Sequence, residues 1–304
     1  MWGDLPGEDT TGVDLAIREP PVILLPVEVL EGQTIPDTVV EFLAPADVIV
    51  LGYHVLPEQT PTEQASMQFE DRAQEAVGDI AQSFIDAGGE PETRVVFTHD
   101  REQTIDRVAA ELGATAILLP NPTGDISEVL VPIRGAIDVG RLADLVATLL
   151  AGGAGHVTLW GITAGEGSEF DAESAVDLAA ERLRERGLPA EQITTETTTA
   201  VLQIHDIVDR SDEADIIVMG EGRESLLAVL LGEDAERVAE GAVAPVLVVR
   251  DRDPNAEAAD SDDDAADAQP VDADAQSATA EGEAPGESLS EPQPDQELEA
   301  DDPE

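Results

Sequence analysis

The sequence predicts an α/β protein: two doubly wound units with mainly parallel sheets fused in tandem, followed by a disordered acidic C-terminal tail. Three observations carry this expectation. Short runs of Val, Ile and Leu alternate with longer segments whose apolar residues recur every three or four positions. The alternation is run through twice, the second time about 100 residues after the first. The composition changes abruptly near Arg252. Strands and helices that alternate in this way build parallel sheets covered by helices on both faces.

The elements follow in order. The first 20 residues are polar, with scattered Gly and Pro, and read as an N-terminal arm. Strands are expected at 21–28 (PVILLPVE), 47–55 (DVIVLGYHV), 93–99 (TRVVFTH) and 116–120 (AILLP). A second set is expected at 128–133 (EVLVPI), 156–162 (HVTLWGI), 193–201 (ITTETTTAV), 215–220 (DIIVMG) and 245–250 (PVLVVR). Most are unbroken aliphatic runs, as expected of strands buried on both faces. The third strand of each set alternates instead, which predicts an edge or half-exposed position. Helices are expected over 63–87, 104–112, 139–150, 171–186 and 225–242.

The repeat is legible in matched residues. TIDRVAAELGATAILLP (104–120) parallels QIHDIVDRSDEADIIVMG (203–220), with Ile105 opposite Ile204 and Ala114 opposite Ala214. Leu25-Pro26-Val27 likewise stands opposite Val131-Pro132-Ile133. The copies differ in length. Only 121–126 separates the fourth strand of copy one from the first strand of copy two, whereas a further helix and strand would need about 25–30 residues at ordinary element lengths. Copy one therefore lacks the last helix and strand that copy two keeps. The expected divisions are an arm at 1–20, a truncated unit at 21–122, a complete unit at 127–251 and the tail at 252–304. With no equivalent strand in copy one, the edge of 245–250 is expected to be exposed and to pair with a second copy of the chain as a homodimer.

Charge narrows the function. Asp and Glu number 67 against 15 cations, a net charge of -52, and every cation is Arg. Nucleic-acid binding, which needs basic side chains on phosphates, is excluded as an expectation. So is attraction to an anionic membrane, and no apolar run reaches the length of about 18 residues that a spanning helix requires. Without Cys there are no disulfides, thiolate metal sites or Cys nucleophiles. Without Lys there is no Walker A loop and no Schiff-base chemistry. The N-terminus lacks a basic then apolar leader, so the cytoplasm is expected.

From Asp251 onward there are 20 acids and one Arg, and the only large apolar residues are Val271, Leu289 and Leu298. Such a segment cannot bury enough surface to offset its ordering entropy. It carries -19, which leaves -33 on the rest. That charge opposes compaction until salt shortens the Debye length to about 3 Å near 1 M. The absence of Lys together with the acid excess resembles the cytoplasmic proteome of salt-in haloarchaea. The chain is expected to unfold below about 0.5–1 M KCl, by the same screening. A salt titration followed by circular dichroism checks this, and a cooperative native melt in salt-free buffer would reject it.

Two segments carry a family resemblance. VLVPIRGAIDVGRLADLV (129–146), followed by DIIVMGEGRESLLAVLLGEDAERVAEGAVAPVLVVR (215–250), resembles a universal stress protein domain. The match is most specific at LLGEDAERV (230–238) and APVLVVR (244–250), and copy one resembles a truncated form of the same domain. The resemblance implies a flavodoxin-like or Rossmann-like fold. It also implies either ATP as cofactor or no cofactor at all, since members of both kinds exist. In the family, a glycine loop after the fourth strand, Gly-x-x-Gly, nine residues, then Gly and a hydroxyl residue, cradles phosphates at a helix N-terminus.

Here the matching positions are Gly220, Gly222 and Gly232, with the first glycine one residue too close. Glu233 stands at the hydroxyl position, and Arg134 stands where the family has a first-strand acid. Copy one keeps an acid there, Glu28, but has no glycine loop. Carboxylates beside the phosphate position repel a nucleotide. The expected function is thus a non-catalytic regulatory or stress-response module with a degenerate nucleotide site, whose partner is a protein or a second copy. The alternatives are an ATP-binding sensor with weak hydrolysis and an interaction scaffold for a transporter or signalling partner. No metal set is expected from the scattered His54, His99, His156 and His205, although His54 and His99 lie near C-terminal strand ends, where sites of this fold class form.

Overall fold

The computed structural model describes residues 20–135, 137–151, 153, 155–165, 168–221, 238 and 241–250. The expected arm, the acidic tail and most of the helix expected at 225–242 lie outside them. The described residues all fall within one compact unit, residues 1–253.

The first half runs β1 (Val22–Glu28), α1 (Asp37–Leu43), β2 (Asp47–Val55), α2 (Thr62–Asp86), β3 (Glu92–Thr98), α3 (Arg101–Glu111) and β4 (Ala116–Leu119). The second runs β5 (Glu128–Ile133), α4 (Val139–Leu149), β6 (His156–Thr163), α5 (Ala172–Glu185), β7 (Ile193–Thr199), α6 (Gln203–Arg210), β8 (Ile216–Gly220) and β9 (Val246–Val249). No helix or strand lies between β4 and β5, as the length of that connection predicts. Two helices escaped the periodicity. α1 has seven residues and α6 has eight, about two turns each, too short for a 3.6-residue repeat to declare itself. α3 begins three residues earlier than expected because Asp100 caps it, accepting the Gln103 N–H at 3.0 Å.

The strands form one sheet in the order β3-β2-β1-β4-β9-β8-β5-β6-β7. The two alternating strands, β3 and β7, occupy its two edges, where their pattern placed them. The order reads alike from either end and meets at β9. β9 runs parallel to β8, from Ile217↔Val246 to Gly220↔Val249. It runs antiparallel to β4, from Ala116↔Val249 to Leu119↔Val246.

This corrects the expected homodimer through 245–250. Both edges of β9 are already paired within the chain, so no ladder of N–H and C=O groups is left for a second copy. The missing strand of copy one, read as a reason why the halves could not join, is the reason they do. Its absence leaves β4 with an open edge, and β9 fills it. Further bonds fasten the seam. Arg250 N–H donates to Thr115 O at 2.9 Å, the Arg250 guanidinium meets Asp106 on α3 at 3.0 Å, and Arg141 donates to Arg250 O at 3.0 Å. The Asn121 amide donates to Ala244 O at 3.1 Å.

Two cores sit on the two faces. α1, α2, α4 and α5 cover one face, with Leu25, Leu43, Phe84, Leu142 and Leu183 inside it. α3 and α6 lie on the other, with Leu24, Ile105, Trp160 and Ile207. Gly161 lets α5 approach β6, since a Cβ there would meet Ala172 O at 2.8 Å.

Candidate functional site

Each half of the sheet has a switch point at its centre, between β1 and β4 and between β5 and β8, the place where α/β folds form a ligand cleft. β1 pairs with β4 only through Ile23 and Leu24, and β5 pairs with β8 only through Val129 and Leu130. Pro26 and Pro132 follow two residues later. Neither has an N–H to give a neighbour, so the ladder stops there. Ligands of open α/β sheets bind beyond the C-terminal ends of the strands.

In the second half β5 ends at Ile133, followed by Arg134, and β8 ends at Gly220, followed by Glu221. Arg134 is half-buried. Ile137 packs directly on Gly220: a Cβ built there would stand 3.1 Å from the Ile137 side chain. Glu221 N–H donates to Val249 O at 2.8 Å, which ties the strand end to β9. Of the residues expected to form the nucleotide loop, Arg134 follows β5 and Gly220 ends the adjacent strand β8, while Gly222, Gly232 and Glu233 lie outside the described residues.

The first half builds a different cluster. Glu28, the last residue of β1, pairs with His54 Nδ1 on β2 at 2.9 Å, and both side chains are mostly buried. The backbone N–H of Glu28 donates to Gln33 Oε1 at 2.8 Å. Phe69 and Phe97 stand edge-on to the imidazole, with centroids 6.5 and 6.4 Å away. Tyr53 lies in register with Glu28. Burial pushes the Tyr53 phenol above its ordinary range, partly offset by Arg101, whose guanidinium sits 5.5 Å from the ring centroid; the Glu28 charge raises it further. The acid at the end of β1 thus already has an internal partner. Both halves of this pair are legible in the sequence, an acid at a strand end and a histidine near the end of the next strand. Their meeting needs the β1–β2 register, which no local pattern carries.

On the face covered by α4 and α5, the two helices are locked together by Asp144. Its carboxylate accepts from Arg182 Nε at 2.9 Å and from Arg186 Nε at 2.8 Å, with a second bond from each guanidinium at 3.2 Å. Burial alone would raise the Asp144 pKa, but the bonds from Arg186 and Arg182 outweigh it and hold the carboxyl below its usual range. At the base of the sheet the Asp215 carboxylate accepts from Ser127 N, Ser127 Oγ and Glu128 N at 2.8–3.0 Å. Burial opposes its ionisation, and these bonds again bring its pKa down. Both acids hold elements together. Among the described residues no group of three or more metal-ligating side chains comes together, and no helix is long and apolar enough to cross a membrane.

Residues 157–250 match the model of the universal stress protein family. No curated protein sequence matches the chain. Among solved structures, a universal stress protein from Archaeoglobus fulgidus DSM 4304 is similar with a TM-score of 0.51 and 15% identity. The match covers 76% of this chain and 97% of that one, so it extends well beyond the second half, and at this identity it shows the fold. A functionally unknown protein from Pseudomonas aeruginosa PAO1 gives a TM-score of 0.42 at 16% identity, over 76% of this chain and 93% of that one. A universal stress protein from Archaeoglobus fulgidus in complex with dAMP gives 0.31 at 22% identity, over 40% of this chain and 97% of that one.

Proposed function

We propose that this chain is a non-catalytic regulatory or stress-response module of the universal stress protein type, working in the cytoplasm of a salt-rich cell, with nucleotide sites that no longer bind. The observation that carries this reading is the engagement of both switch points from within. Ile137 covers Gly220 in the second half, and His54 takes the Glu28 carboxylate in the first. In copy one the segment that would hold a phosphate loop is absent, since β4 runs on to β5 without a further helix or strand.

The second reading, an ATP-binding sensor, draws on Arg134, a cation one residue past β5 while Gly220 ends the adjacent strand β8, at the strand ends where phosphates bind in this fold class. A calorimetric titration of ATP with Mg²⁺ in about 2–3 M KCl, where general repulsion is screened, separates the two. No saturable binding at micromolar concentrations is the expected result. Micromolar saturable binding that Arg134→Ala abolishes would reject the non-binding reading and establish the sensor.

A further inference from the structure

The sheet has two edges, and they are treated differently. β3 carries Glu92 and Arg94 near its start, and its second half is partly buried against α2. β7 reads Ile-Thr-Thr-Glu-Thr-Thr-Thr, and its last five residues are exposed. Among the described residues it pairs with β6 alone. Its single charge, Glu196, is held at 2.8 Å by Arg210 of its own chain. Natural edges are blunted by charges, Pro or bulges. β7 has none of these facing outward, and its β-branched threonines favour the extended state.

The direction of its free groups can be read. Ala200 N–H donates to Thr163 O at 2.9 Å, and Thr163 Oγ1 donates to Thr198 O at 3.2 Å. Residues 198 and 200 therefore face β6. By the two-residue alternation of a strand, the N–H and C=O of Thr195, Thr197 and Thr199 point away from the sheet. Thr197 and Thr199 also line a cavity of about 570 Å³ between β7 and the start of α5. Among the described residues, the acids of that cavity are Glu169, Asp171 and Glu173, and no cation lines it. The Asp171 carboxylate accepts from the Ser174 hydroxyl at 2.6 Å and from the Ser174 backbone N–H at 3.1 Å, and these bonds lower its pKa below the usual range. Directly after the strand, Val201 and Leu202 are 88% and 65% exposed.

We propose that the free edge of β7 is a docking site for an extended segment of a partner protein that bears Arg or Lys at alternate positions. The segment would add a strand to the sheet. Its backbone would pair with Thr195, Thr197 and Thr199, and its alternate side chains would reach the acidic cavity beside Thr197 and Thr199. Side chains of adjacent strands on one face lie about 4.5–5.5 Å apart, close enough for a long basic side chain to meet Glu169 or Glu173. Charge decides against a second copy as occupant. Antiparallel self-pairing centred on the strand sets Glu196 opposite Glu196, and like charges directly opposite destabilise a ladder. This proposal goes beyond the reading of the nucleotide sites and does not depend on it.

The test uses the full chain in about 1 M KCl, where the Debye length is about 3 Å and the overall net charge is screened, leaving only groups in contact. The probe is a nine-residue fluorescent peptide alternating Arg with Thr and Val, followed by anisotropy. Controls are the same peptide with Glu for Arg and the Arg peptide N-methylated at alternate backbone nitrogens. Saturable binding of the Arg peptide alone is expected. Thr197→Pro, which removes an outward N–H, is expected to weaken it about tenfold, as loss of main-chain pairing does in strand addition. If Thr197→Pro disturbs the fold, Glu169→Gln with Glu173→Gln tests the same site without touching the backbone, and a loss of several-fold is expected. Absence of binding overturns the proposal, as does equal binding of the N-methylated peptide or of the variants. Concentration-dependent dimers in light scattering that Thr197→Pro abolishes would overturn it in favour of a second copy.

Discussion

A chain ending at Ala244 is expected to lose both halves of its sheet in a single event, although the cut removes only one four-residue strand of the described fold. All four residues of β9 are buried, with Leu247 and Val249 in one core and Val246 and Val248 in the other. Fully burying a Val or Leu side chain stabilises by about 1.5–3 kcal/mol. Four of them approach the whole net stability of a domain, about 5–15 kcal/mol. Removing β9 also strips ladder partners from β4 and β8 together, leaving buried backbone groups unmatched. The graded version is Leu247→Ala, expected to cost about 2–5 kcal/mol in urea unfolding at high KCl. Hydrogen exchange at Leu24 and Leu25 of β1 reads the coupling. Full protection of those amides in the shortened chain would mean that the first half stands alone, and would reject the shared strand as the element that holds both.

The second large effect is expected at Asp144. Asp144→Ala removes the acceptor of four hydrogen bonds from Arg182 and Arg186. The Arg186 side chain is only 8% exposed, so its charge stays out of water when the carboxylate goes. Removing one partner of a buried pair costs about 3–5 kcal/mol, and partial exposure of Arg182 places this case near 3 kcal/mol. The pH dependence has a definite sign. The carboxyl is held below its unfolded range, so its contribution is fully present above the ordinary Asp pKa of about 3.9 and is lost as pH falls from there towards the folded value. Urea titrations from pH 7 to pH 3 in about 2 M KCl, where acid–acid repulsion is screened, should show the native chain losing stability in that window. Asp144→Ala should show a shallower slope and lower stability at neutral pH. Equal slopes in the two proteins would remove Asp144 as the source. Asp215 and Asp171 titrate with the same sign and contribute to the slope that remains.

The candidate site was legible in parts. Glu28, Arg134 and Gly220 follow from strand ends and from a repeat that aligns Leu25-Pro26-Val27 with Val131-Pro132-Ile133. The same prolines end the β1–β4 and β5–β8 ladders, a role that requires knowing which neighbour each strand has. His54 was visible as a strand-end histidine but not as the partner of Glu28, because the two are 26 residues apart and joined only by register. Ile137 over Gly220 had no local signal at all, since an isoleucine after a strand reads the same whether it faces solvent, core or a glycine.

What the sequence determined by itself is whatever repeats along the chain. Aliphatic runs gave the buried strands, alternation gave the two edge strands, and the eight-residue gap between β4 and β5 gave the truncation of the first half. These are local because burial on one face or two imposes a period that a short window displays. What only the tertiary structure decided is the joint at β9. An aliphatic strand pairs with any open edge of matching length, and nothing in PVLVV distinguishes a second chain from β4 of its own. The choice is made by proximity: β4 stands in the same molecule with the edge its missing neighbour left open, and a tethered edge is met at far higher effective concentration than a free one.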